Sequence, residues 1–106
     1  MESEFTNTIA DVRNLIEQRR YAECEAVVAT AMFEHPHAAE PHNLMGLLLE
    51  QEGRHPDAMC HFRAACALNP TYRPALCNLD CFGSLYRTAE PVYQESECQK
   101  ATVKEW

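Results

Sequence analysis

The chain has 106 residues, 46% of them hydrophobic and 24% charged, the balance of one globular domain rather than a disordered or collagen-like chain. Asp plus Glu number 16 against 9 Lys plus Arg, a net charge of −7 with histidine neutral; that is the wrong sign for nucleic acid or an anionic membrane surface. Residues 1–53 hold ten acids and three bases, whereas residues 54–106 hold six of each, so electrostatic steering of a basic partner favours the N-terminal half.

Apolar residues three and four apart predict six helices in chain order. The first covers about 4–18, with Phe5, Ile9, Val12, Leu15 and Ile16 on one side. The second covers about 22–34 through Cys24, Val27, Val28, Ala31 and Met32. The third covers about 41–52 through Leu44, Met45, Leu47, Leu48 and Leu49, and the fourth about 56–68 through Ala58, Met59, Phe62, Ala65 and Leu68. The fifth covers about 74–86 through Leu76, Leu79, Phe82 and Leu85. A sixth, about 91–104, carries Val92, Tyr93, Cys98, Val103 and Trp106 scattered rather than striped. Pro41, Pro56, Pro74 and Pro91 stand at predicted helix starts, where a missing N–H costs nothing. Pro36 and Pro70 follow helix ends, and Gly53 marks a short turn. No strand-like alternation of useful length occurs.

No apolar run approaches the roughly 18 residues of a spanning helix. The start, Met1-Glu2-Ser3-Glu4, is acidic, unlike a secretory leader. The expectation is a cytoplasmic chain with its cysteines reduced, and a start at Met1 is that expected of a complete one. The cysteines, at 24, 60, 66, 77, 81 and 98, form no Cys-x-x-Cys. With three glycines, no Gly-rich phosphate loop can be written. No cofactor is expected.

The chain also repeats. Displaced by 34 positions, Tyr21 falls on His55, Cys24 on Ala58, Val28 on Phe62, Ala31 on Ala65 and Pro36 on Pro70. Each pair is read as matching in size class and in expected burial, and each unit holds two helices, which points to a stacked array.

Residues 39–72, AEPHNLMGLLLEQEGRHPDAMCHFRAACALNPTY, resemble a tetratricopeptide repeat. Met45-Gly46 stands at that family's Leu-Gly, Gly53 at its turn glycine, Ala58, Phe62 and Ala65 at its small–aromatic–small triplet, and Pro70 at its terminal proline. His42 replaces the usual tryptophan and His55 the turn tyrosine. Residues 5–38 are a weaker copy, keeping Tyr21, Ala31 and Pro36, with Asp11-Val12 in place of Leu-Gly. Residues 73–106 match in their first helix only, through Ala75, Asn78 and Leu79.

The resemblance implies an all-α, right-handed superhelix of about six helices, spanning the whole chain as one domain of about two and a half repeats. It implies a non-catalytic adaptor or scaffold binding a peptide or helix of an unidentified protein in its concave groove. Such a groove would be lined by Ile9, Arg13 and Ile16 from the first helix, and by Glu40, Asn43, Leu47, Glu50 and Gln51 from the third. Cys77, Asn78, Cys81 and Ser84 would come from the fifth. Some members clamp the acidic tail of a heat-shock chaperone with Lys, Asn and Arg. Here Ile9, Arg13, Leu44, Pro74 and Asn78 stand at those places, and only Asn78 fits fully. The net negative charge also opposes an acidic tail, so the groove suits a segment with apolar anchors and some basic residues. The sixth helix would cap the stack, or dock on a second copy to give a homo-oligomer.

A second class of function is a metal- or redox-responsive regulator. Cys77 and Cys81 are spaced i, i+4, His35, His37 and His42 surround one loop, and Cys60-His61 lies on the fourth helix. Two thiols and a loop histidine are zinc-ligand types. Against this, free cysteine behaves as a small hydrophobe, as at Cys24 and Cys66. Nothing pairs Cys81 with the base that nucleophilic catalysis needs.

Overall fold

The computed structural model describes residues 4–83 and 91–94. Five helices lie within them: α1 Thr6–Glu17, α2 Tyr21–Glu34, α3 Glu40–Gln51, α4 His55–Leu68 and α5 Arg73–Gly83. No strand is present among the described residues. Pro41 and Pro56 sit in the first turns of α3 and α4, where proline's fixed φ suits the helix.

The 34-residue register extends to the backbone. Helix α3 starts and ends 34 positions after α1, and α4 starts and ends 34 positions after α2. The turns repeat as well. Arg19 has φ 60° and Gly53, at the equivalent position, φ 80°. This left-handed conformation is easy for glycine and uncommon for arginine. One residue on, the Arg20 N–H donates to the Leu15 carbonyl and the Arg54 N–H to the Leu49 carbonyl, both at 2.9 Å. The Arg20 guanidinium then pairs with Glu23, and that of Arg54 with Asp57. Both ion pairs are more than half exposed, so they trim the helix starts rather than hold the fold.

Each helix packs on the next, and α3 also meets α1 and α5. Helix α3 is therefore buried on nearly all sides, from Asn43 through Leu49. Gly46 lies close against Phe62 of α4. A Cβ on Gly46 would lie 2.5 Å from Phe62 Cε1, so the bare backbone is what admits the ring. At the equivalent positions of the first hairpin stand Val12 and Val28, both fully buried in the same core cluster. Phe62 in turn stacks on Phe82 of α5, with ring centroids 5.8 Å apart.

Three expectations need correction, the first being Leu68, expected on the apolar side of the fourth helix but exposed at the last position of α4. The buried face of α5 is Pro74, Ala75, Asn78, Cys81 and Phe82, while Leu76 is exposed. Ala75 packs with Ala39, Ala65 and Tyr72, a contact that needs a small side chain, and this turns the Leu76 position outward. The sixth helix does not start at Pro91: residues 91–94 are non-helical. The Val92 carbonyl already accepts two side-chain N–H groups, leaving neither lone pair for a helical bond. The rest of that predicted helix lies outside the described residues, so the count there is five.

Candidate functional site

Residues 91–94 meet three helices: Val92 is bonded by Asn43 of α3 and Asn78 of α5, and Tyr93 lies under Arg13 of α1. Asn43 and Asn78 are the two buried polar side chains among the described residues, and both are committed to Val92. The Val92 N–H donates to Asn78 Oδ1 at 2.8 Å, and its carbonyl accepts from Asn78 Nδ2 at 2.6 Å. Asn43 Nδ2 donates to the same carbonyl at 3.1 Å, while Asn43 Oδ1 accepts from Asn78 Nδ2 at 2.8 Å. Buried polar groups must find partners, and no buried side-chain N or O of the described residues lacks one.

The side chains of the segment are equally engaged. Val92 is 1% exposed. The Tyr93 ring belongs to the main core, together with Ile9, Ile16 and Leu47. The Arg13 guanidinium of α1 lies over it, 4.3 Å from the centroid, a cation–π contact. Beside Tyr93 is an open recess lined also by Ile16, Glu17, Arg19, Tyr21 and Gln51.

Of the residues assigned to a groove, Arg13, Ile16, Asn43, Gln51 and Asn78 therefore gather around Val92 and Tyr93. Ile9 and Leu47 are core residues in the same cluster as Tyr93. Glu40 is half-buried at the start of α3. Glu50 turns to the turn histidine, its carboxylate meeting His55 Nδ1. Cys77 is half-buried and Cys81 buried, and Ser84 lies outside the described residues. Sequence reasoning missed the role of Val92 and Tyr93. The signal was two asparagines on apolar helix faces, which need polar partners from elsewhere in the chain.

The histidines and cysteines are dispersed. His42 and His61 bring their Nδ1 atoms within 3.1 Å, with rings stacked. Burial lowers both below the ordinary histidine value, and in His61 the neighbouring His42 adds to this while Asp57 opposes it. His35 instead lies edge-on to Phe5. Burial, reinforced by the negative charge of Glu52, pushes the Cys24 thiol up to about 11; burial also raises Cys66. Such thiols are poor nucleophiles and poor ligands. Among the described residues, no three of His, Cys, Asp and Glu converge to hold a metal ion, and no helix is long and apolar enough to cross a membrane. No family model, curated protein or solved structure matches this chain.

Proposed function

We propose that the chain is a tetratricopeptide-like, non-catalytic interaction module, cytoplasmic, that holds a segment of a partner protein on its α1, α3 and α5 face. In this reading α1, α3 and α5 form the inner row of a right-handed superhelix, with α2 and α4 outside. The observation that carries it is the Asn43–Asn78 pair, which grips both backbone groups of one residue of a non-helical segment. Backbone groups are common to every peptide, so such a grip gives affinity, while neighbouring side-chain slots give selectivity. The register of helices, turns and ion pairs at 34 residues supports the repeat.

The test is photo-crosslinking in the native cell. A benzophenone amino acid replaces exposed Gln51 on this face, or exposed Arg63 on α4 as control. The expected result is a discrete protein adduct from position 51 and none from position 63. Adducts from 63 alone, or from neither, would overturn the reading.

A further inference from the structure

We infer that residues 91–94, Pro-Val-Tyr-Gln, are a resident occupant of this face. The partner segment taken in their place is then a non-helical stretch in which a β-branched aliphatic residue precedes an aromatic one. The inference rests on the interaction-module reading and specifies what that face selects.

Three features define the occupant. Its backbone is held by side chains from α3 and α5 rather than by a helix or sheet of its own, so another chain offering the same N–H and C=O could take the same bonds. The Val92 side chain fills a fully enclosed position, and the narrow, branched shape sets the first preference. The Tyr93 ring lies between the apolar core and the Arg13 guanidinium. A flat π-system is needed there, which sets the second. The occupant is also tethered. Only residues 84–90 separate it from the end of α5 at Gly83, so its binding is intramolecular and set by an effective rather than a bulk concentration. A partner must compete with that concentration, so its apparent affinity is reduced by the fraction of faces left open.

The experiment uses a fluorescein-labelled Pro-Val-Tyr-Gln peptide, blocked at both ends, and a Tyr-Gln-Pro-Val control, titrated by anisotropy. The full chain is compared with Val92→Gly/Tyr93→Ala, which removes both anchors of the resident segment. The expected result is at least tenfold tighter binding to the double variant, lost on adding Asn78→Ala and absent with the control peptide. Equal affinity for both chains, or none for either, would overturn the inference. Should the double variant fail to fold, the unaltered chain decides. Saturating peptide is then expected to speed hydrogen exchange at the Val92 amide severalfold, and unchanged exchange would overturn the inference. Sedimentation guards the choice of partner. A wild-type dimer whose Val92 protection rises with protein concentration would make the occupant a second copy and end the assignment. Failure here with Gln51 adducts intact removes this inference alone, whereas absence of those adducts removes the module reading itself.

Discussion

Asn78 holds both main-chain groups of Val92 with one side-chain amide, accepting from the N–H at 2.8 Å and donating to the carbonyl at 2.6 Å. All of these atoms are buried, so the arrangement matters more for what its loss exposes than for what each bond contributes. A satisfied bond is worth about 1 kcal/mol net, but an orphaned buried group costs about 1–3 kcal/mol. Asn78→Ala orphans two buried groups, the Val92 N–H and Asn43 Oδ1, whereas Asn43→Ala orphans only one N–H of Asn78 Nδ2 and leaves both Val92 groups a partner. Asn78→Ala is therefore expected to lower stability by about 1–3 kcal/mol, and Asn43→Ala by less. Urea denaturation of the two variants checks the order; equal losses would mean that Asn78 has no special hold on the segment.

The contact between Gly46 and Phe62 gives a second prediction. Any Cβ at 46 meets the Phe62 ring, while the equivalent pair in the first hairpin is Val12 and Val28. Gly46→Val alone should overpack the interface and cost about 1–3 kcal/mol. Phe62→Val alone opens a cavity in a well-packed core. Together they recreate the first hairpin's pairing, so the double variant should lose less than the sum, with a coupling of about 0.5–3 kcal/mol. A double-mutant cycle in urea measures it, and strict additivity would refute the equivalence of the two contacts.

The helices were legible because local chemistry and repeat agree. Pro41 and Pro56 open helices, Gly53 takes the left-handed turn, and α3 and α4 fall 34 positions after α1 and α2. The face of α5 was harder to read. Of the expected stripe, Phe82 is buried and Leu79 packs partly against the core, but Leu76 is exposed, and the contact of Ala75 with Ala39 and Ala65 takes the place expected of it. Much of the candidate site was visible as Arg13, Asn43 and Asn78, but its occupant was not. Val92 meets Asn78 across 14 positions and Asn43 across 49, and helical spacing carries no record of partners so distant. Leu47 also shows the limit of reading a face from spacing. It was assigned to an open groove, yet it is a core residue at 1% exposure, so Leu47→Glu would unfold the chain before it reported on binding.

Thiol reactivity should sort by burial. Cys60 is exposed, while Cys24 is fully buried with its thiol pushed up to about 11. The thiolate is the reactive form, so burial suppresses Cys24 twice, through access and through ionisation. In iodoacetamide at neutral pH, Cys60 is expected to alkylate within the first labelling period. Cys24 should label only at the rate of opening of the α1–α2 hairpin, and at the rate of a free thiol in urea. Peptide mass mapping over time checks this, and comparable rates for the two in native buffer would contradict the packing of Cys24.

The His42–His61 pair makes stability depend on pH in a definite direction. In the folded chain burial lowers both groups below 6.5, and His42 lowers His61 further. As pH falls, the unfolded chain therefore takes up protons first. The pair's contribution is fully present above about pH 6.5. It declines as pH falls from there through the folded values, and levels off only below them. Two imidazolium rings would also face each other with N–H groups in place of one donor and one acceptor, since the Nδ1 atoms are 3.1 Å apart. Carboxylate titration changes stability at acid pH as well, so the informative quantity is a difference. Stability in urea at pH 7.5, 6.5 and 5.5, measured for the native chain and for His42→Asn/His61→Asn, should fall more steeply with acid for the native chain. Parallel curves would show that the two rings carry no pH dependence of their own.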